Sequence, residues 1–261
     1  MKFFILYDNS NERRSFFTQL NHFINNERWN KMAEYLVNQE NSKWYHQERQ
    51  SLLKLGSKSS LLYKACCVSA PLDIIKMLLR VVSVDLVKYR SNHQNDFPLH
   101  AAARHGSSIL VIKTIATLYP EALTAQDKFG RTPLHCSCAK QLNGIYPCLA
   151  KLFCTLAPSS VAIEDNSGRT AMELMLNGSI EVSHINNELD KEEVAYIYDN
   201  RIRTLNVLQS MTKYYWEDRR KSEMSRLWCE CNVTRRHKRY ILYTSAYTLP
   251  VDDQQTHDKF S

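Results

Sequence analysis

Two histidines, His100 and His135, are the first residues in this chain that could do chemistry, and each follows a Pro-Leu pair. A histidine working as a base needs a nucleophile or a carboxylate placed to use it. No such residue recurs beside the two, so both are read as structural. Cys136, Cys138 and the pair Cys66-Cys67 fall among small residues, where a free thiol behaves as a small hydrophobe. Cys229-x-Cys231 with His237 has one residue too few between its thiols for the common zinc spacing, and no fourth ligand. Lys-Leu-Gly-Ser-Lys-Ser at 54–59 lacks the upstream glycine and the strand that a phosphate loop requires. Glu192-Glu193 lies at a helix start, where the dipole favours acids. No zincin helix, nucleophile elbow or calcium loop is present. The expectation is a protein that is not an enzyme, with no catalytic residues, metal or cofactor.

Arg235, Arg236, Lys238 and Arg239 surround His237 in a compact basic cluster, a candidate nuclear-localisation or phosphate-binding segment. Tyr214, Tyr215, Trp216 and Trp228 nearby could add stacking. The alternative is a solvated helix end. Residues 201–240 hold eleven Lys/Arg against four Asp/Glu, or +7, whereas residues 1–200 hold 22 against 20, or +2, and the last 21 hold one against three, or −2. The net charge of +7 is therefore a property of one segment.

The elements that must position these residues repeat. Asp-Lys-Phe-Gly-Arg-Thr-Pro-Leu-His at 127–135 has a weaker copy at 95–100, a degenerate copy at 165–173 and a trace at 60–65. Aligned on Leu62, Leu99, Leu134 and Met172, the copies are 37, 35 and 38 residues apart, and a period of this size means a stacked-repeat architecture. In the copies at 127 and 165 Asp-x-x-Gly supplies a turn, with Gly130 and Gly168 free to take positive φ. Thr132 then caps a short helix and Pro133 fits its first position. The first helix is small-sided: Leu99, Ala102, Ala103; then Leu134, Ser137, Cys138. After a turn at Gly106 or near Asn143-Gly144, a second helix carries bulkier residues at helical spacing: Ile74, Ile75, Leu78, Leu79; Val111, Ile112, Ile115, Leu118; Leu149, Leu152, Phe153, Leu156. Pro120 and Pro158, each seven residues before the next Asp, stop it.

Thr-Pro-Leu-His at 132–135, with Asp127 and Gly130 ahead, and Pro-Leu-His-Ala-Ala-Ala-x-x-Gly at 98–106 resemble the ankyrin repeat. Leu-Tyr-Pro-Glu-Ala at 118–122, Trp29, and Ala-Pro-Leu-Asp-Ile-Ile at 70–75 resemble a diatom-type variety of it. Ala171 and Glu173 depart from the Pro and His of the pattern, and the first unit lacks the His. The resemblance implies an all-α repeat solenoid of about four helix-turn-helix units. It also implies a protein partner held on the concave face, by turn tips and the outer side of the first helices. In this chain those are His93, Gln94 and Asp96; Ala101, Arg104 and His105; Lys128, Phe129 and Arg131; Cys136 and Lys140; and Asn166, Ser167 and Arg169. Phe129 stands out, since an aromatic at a turn tip gains nothing from water and suits an interface anchor.

Flanking the repeats (58–180), residues 1–57 read as a helical cap or degenerate repeat, with Phe16, Phe17, Leu20, Phe23 and Ile24 on one face and Trp29, Met32, Ala33, Leu36 and Val37 on another. Residues 181–243 read as a C-terminal helical cap containing the basic segment, with an apolar stripe of Val194, Ile197, Tyr198, Ile202, Leu205, Leu208, Met211 and Tyr215. Residues 244–261 read as a disordered tail. No stretch approaches the roughly 20 apolar residues of a membrane span, and the five apolar residues after Lys2 are too few for a secretion signal. The eight cysteines are expected to be reduced, in cytosol or nucleus. The expected partner is a protein, with neither membrane nor small-molecule substrate. The alternative is nucleic-acid or acidic-partner binding through residues 213–239.

Overall fold

The computed structural model describes residues 10–43, 45–46, 60–139, 147–177 and 191–223. The expected boundaries near 57, 180 and 243, the turn at Asn143-Gly144, the Cys229/Cys231/His237 group and the basic cluster 235–239 lie outside them. The chain divides into two compact units, Met1–Tyr215 and Trp216–Ser261. In the second, residues 216–223 are described as helix, and the Arg219 guanidinium carbon lies 5.8 Å from the centre of the Trp216 ring.

The described residues form an all-α fold whose sole β-type pairing is an isolated bridge between Glu164 and Thr170. The helices are α1 (Ser10–Asn25), α2 (Trp29–Glu40), α3 (Leu61–Cys67), α4 (Leu72–Val81), α5 (Pro98–His105), α6 (Ile109–Leu118), α7 (Pro133–Cys138), α8 (Pro147–Leu156), α9 (Ala171–Asn177) and α10 (Lys191–Glu223). One row packs in succession: the longer α1 on α3, then the short helices α3 on α5, α5 on α7 and α7 on α9. Behind them α2 packs on α4 and α4 on α6. The first pair therefore enters the same two rows as the pairs that follow. Its aromatic residues do the joining, with Phe16 stacked on Tyr35 at 6.0 Å and Phe23 against it at 5.6 Å.

The short row is close-packed because its side chains are small. Leu62, Leu99 and Leu134 are fully buried, and Met172 nearly so. Burying each of these contributes about 2 kcal/mol. Ala65, Ala102, Ala103, Ser137 and Cys138 fill the space between them. Each second helix is followed by a 3-10 turn, at Val84–Lys88, Pro120–Leu123 and Pro158–Ala162. Pro120 and Pro158 end their α-helices as expected, yet they also begin the second and third of these turns. The turns bury Leu86, Leu123 and Val161, a contribution that periodicity did not reveal.

Four helical faces differ from the expected ones. Leu118 and Leu156 are exposed, at 41% and 40%. At about 100° per residue, each sits roughly 90° from the centre of its buried face, which Ala116 and Cys154 share instead. Val37 is likewise exposed. In α10, Tyr198 and Ile202 point outward, and the buried line runs through Thr204, Leu208 and Thr212. Steps of three and four had drifted round the helix while polar residues filled the true face. There Arg201 donates a hydrogen bond to the Met175 carbonyl at the end of α9.

The turns obey the expected backbone rule. Gly130 and Gly168 take φ of 76° and 71°. A Cβ on Gly130 would lie 2.6 Å from the Asn166 backbone nitrogen in the next turn, whereas one on Gly168 meets nothing within 4 Å. Gly168→Ala should therefore cost about 1 kcal/mol, for the left-handed backbone alone. Gly130→Ala should cost about 3 kcal/mol, because a collision is added. Urea unfolding midpoints of the two variants test this, and equal losses would refute the contact with Asn166.

Candidate protein-binding face

The face is built from three successive turns. In the middle one, Asp127 Oδ1 accepts the amides of Phe129 (2.8 Å) and Arg131 (2.9 Å), and the Asp127 amide donates to the Arg131 carbonyl at 2.9 Å. Asp165 repeats the arrangement with Ser167 (2.9 Å) and Arg169 (3.0 Å). The first turn reaches the same shape with other residues. Ser91 stands in for the aspartate, its Oγ accepting the Gln94 amide at 3.1 Å and its amide donating to Asp96. Asn95, at φ 55°, stands in for the glycine. This turn holds one residue more than the others, which hid it from alignment.

Backbone bonds fasten the turns side by side. The Lys128 amide donates to the Gln94 carbonyl at 2.8 Å, and the Asn166 amide to the Phe129 carbonyl at 3.0 Å. Asn166 Nδ2 donates to the Lys128 carbonyl at 3.0 Å, and Lys128 Nζ to the His93 carbonyl at 2.7 Å. Beneath them the histidines tie the second and third turns to the helix before each. His100 Nδ1 accepts the Phe97 amide at 3.2 Å, so its proton is on Nε2. That Nε2–H faces the carbonyls of Ala125 at 3.0 Å and Arg131 at 3.2 Å. His135 does the same with Thr132 behind it (3.3 Å) and the Arg169 carbonyl ahead (3.1 Å). Both rings are buried, which pulls the pKa of each down: that of His100 from 6.5 to about 4, that of His135 in the same direction. With both ring nitrogens engaged, neither histidine has a lone pair left for proton transfer. In the last of these turns Glu173 replaces the histidine. Its Oε2 takes the Thr170 amide at 2.8 Å, which completes the cap, but a carboxylate has no proton to pass to a following carbonyl.

The predicted site residues separate into three groups. His93, His105, Lys128, Phe129, Asn166 and Ser167 are exposed, and Gln94, Arg104, Arg131 and Arg169 are half-buried. Asp96, Ala101 and Cys136 are buried and offer no surface, contrary to expectation. Ala101 and Cys136 lie on helices with a neighbour on each side, which buries residues 98–103 and 133–138 all round. Asp96 is turned inward after Asn95, where it accepts from Ser91 Oγ (2.5 Å), Tyr63 Oη (3.3 Å) and Arg104 (2.8 Å). Lys140 lies outside the described residues.

Arg104 holds this floor together, spanning Asp96 Oδ2 at 2.8 Å and Asp127 Oδ2 at 3.4 Å, with the Cys136 thiol at 3.5 Å. Burial pushes Cys136 up to about 11 despite that guanidinium, and drives Cys66 and Cys138 up as well. These thiols are protonated at neutral pH, unsuited to attack or metal binding. Among the described residues no three His, Cys, Asp or Glu side chains cluster as metal ligands.

Tyr63 and Ser91 were missed, and Arg104 was expected at the surface rather than as the bridge. Only Ser91 left a signal, a hydroxyl at the start of a polar turn.

Two consequences are measurable. Unfolded histidine takes a proton near pH 6.5, whereas folded His100 resists until about pH 4. Its stabilising effect is complete above pH 6.5 and declines as pH falls toward 4, by roughly 3 kcal/mol. His100→Asn should flatten that part of the pH dependence of the urea midpoint. Removing the bridge with Arg104→Met should cost about 3 kcal/mol at pH 7, since two buried carboxylates lose their cation. Adding Asp96→Asn should restore part of the loss; no recovery would show that the charges are compensated elsewhere.

Among the described residues no helix is long and apolar enough to cross a membrane. No protein-family model matches this chain, and neither does any curated protein.

Proposed function

We propose that the chain is an ankyrin-like repeat solenoid acting as a non-catalytic protein-interaction module. Its partner docks on the concave side, across the turn tips and the ends of the short helices. One observation carries the reading. Phe129 is 45% exposed at the tip of the middle turn, on a backbone held from both sides by neighbouring turns. An apolar ring kept in water on a rigid support is disfavoured in the free protein and becomes favourable when a partner covers it. The engagement of both ring nitrogens fits a structural role for His100 and His135.

The test is partner capture by the full chain and by Phe129→Ala/Arg131→Ala. Capture should fall about tenfold or more. The single change Phe129→Ala, at an exposed side chain, should weaken it while the unfolding midpoint changes little. Undiminished capture would place the site elsewhere. If nuclease then abolished it, or if it weakened steeply with salt, the basic segment 213–239 and a nucleic acid would be the alternative.

A further inference from the structure

Charge is sorted across the three turns. The aspartates of the turns are buried and neutralised: Asp96 and Asp127 by Arg104, Asp165 by Arg169 at 2.9 Å. Glu164, just before the third turn, is half-buried. For Asp165, burial alone would raise the carboxyl pKa, but the Arg169 and Ser167 amides and the Arg169 guanidinium outweigh it and hold it below its usual value. Three further cations have no such acid. Arg90 and Lys128 are exposed and Arg131 half-buried. Among the described residues no carboxylate lies within ion-pairing distance of any of the three. Lys128 Nζ and the Arg131 guanidinium lie 5.0 and 5.4 Å from the centre of the Phe129 ring, and the Arg131 Nε is buried without a partner. At the foot of the first turn Arg90 lies 4.6 Å from the Phe97 ring and donates to Asn95 Oδ1 at 3.2 Å.

Stacking on a ring orients a cation but leaves its charge unneutralised. Two cations against one exposed ring form a composite surface, apolar at its centre and positive at its edges. The third turn adds uncharged donors and acceptors at Asn166 and Ser167. Three turns at the usual spacing of packed helices, roughly 10 Å, span about 20 Å. An extended peptide covers that with about six residues.

We infer that the turn row docks an extended acidic segment of a partner protein, an apolar side chain seated on Phe129 and carboxylates meeting Lys128, Arg131 and Arg90. The inference rests on the protein-binding reading above and names its partner chemistry. Complementary charge of this kind raises association rates and makes affinity salt-dependent.

The test selects peptides from a random displayed library of about 12 residues, enough to overrun the row, against the full chain at about 0.1 M salt. Enriched peptides are then titrated by fluorescence polarisation. They should carry excess Asp and Glu around an apolar residue. They should bind about tenfold more weakly both to Phe129→Ala and to Lys128→Glu/Arg90→Glu, whose changes are at exposed side chains. Enriched peptides without acidic excess that still lose binding with Phe129→Ala would overturn the acidic specificity and leave the docking face standing. Peptides indifferent to both variants, or no enrichment, would overturn both. A labelled single-stranded oligonucleotide that outcompetes the peptides, and whose binding is weakened by charge reversal but not by Phe129→Ala, would overturn the inference in favour of nucleic acid.

Discussion

A carbonyl oxygen removed from water needs a donor, and here the donor is a buried histidine on the preceding helix. The Arg131 carbonyl receives the Asp127 amide and His100 Nε2, and the Arg169 carbonyl receives the Asp165 amide and His135 Nε2. Without the imidazole each carbonyl would keep one bond and lose its link to the neighbouring helix. That requirement propagates outward. The ring must be neutral, with its proton on Nε2, so Nδ1 must accept from the backbone at the start of its own helix. The cap must therefore lie three residues before the histidine, at Phe97 and Thr132, and the helix begins one residue later. The proline at its first position and the extended residue before it both follow from this.

The same turns dispose of their charges by a second constraint. An aspartate carboxylate that closes a turn on its own backbone amides is drawn inside, where it needs compensation. Arg104 serves two turns at once, reaching Asp96 and Asp127 from a single helix end. Having consumed the acids internally, the turn row is left with cations outside and one aromatic ring between them. The electrostatic character of the proposed binding face is thus a by-product of how the turns are built. It owes nothing to the overall charge of the chain, which is concentrated in residues 201–240.

The helices show how far side-chain period can be followed. Where buried residues are unbroken, as at Ile74, Ile75, Leu78 and Leu79, spacing and burial agree. Where apolar residues lie at the margin of a face, as with Leu118, Leu156 and Ile202, spacing admits them and packing leaves them out. In α10 the face is lined by Thr204 and Thr212, and anchored by Arg201 on the Met175 carbonyl. A stripe read from apolar residues alone could not find it.

The sequence by itself determined the short-range geometry. Asp-x-x-Gly wrote the turns, Thr132 and Pro133 the start of a helix, Gly106 its end, and the small residues of the short helices their close packing. These are properties of a few consecutive residues, set by backbone sterics and local hydrogen bonds. It also marked Phe129 as an exposed ring, since its place at a turn tip follows from the turn. Only the tertiary structure decided which site residues have a surface at all. Asp96, Ala101 and Cys136 are hidden by helices thirty or more residues away in the chain. It was also the fold that made Ser91 equivalent to Asp127, and Arg104 the bridge between two turns. Burial and charge pairing depend on what lies across a contact, and no local pattern records that neighbour.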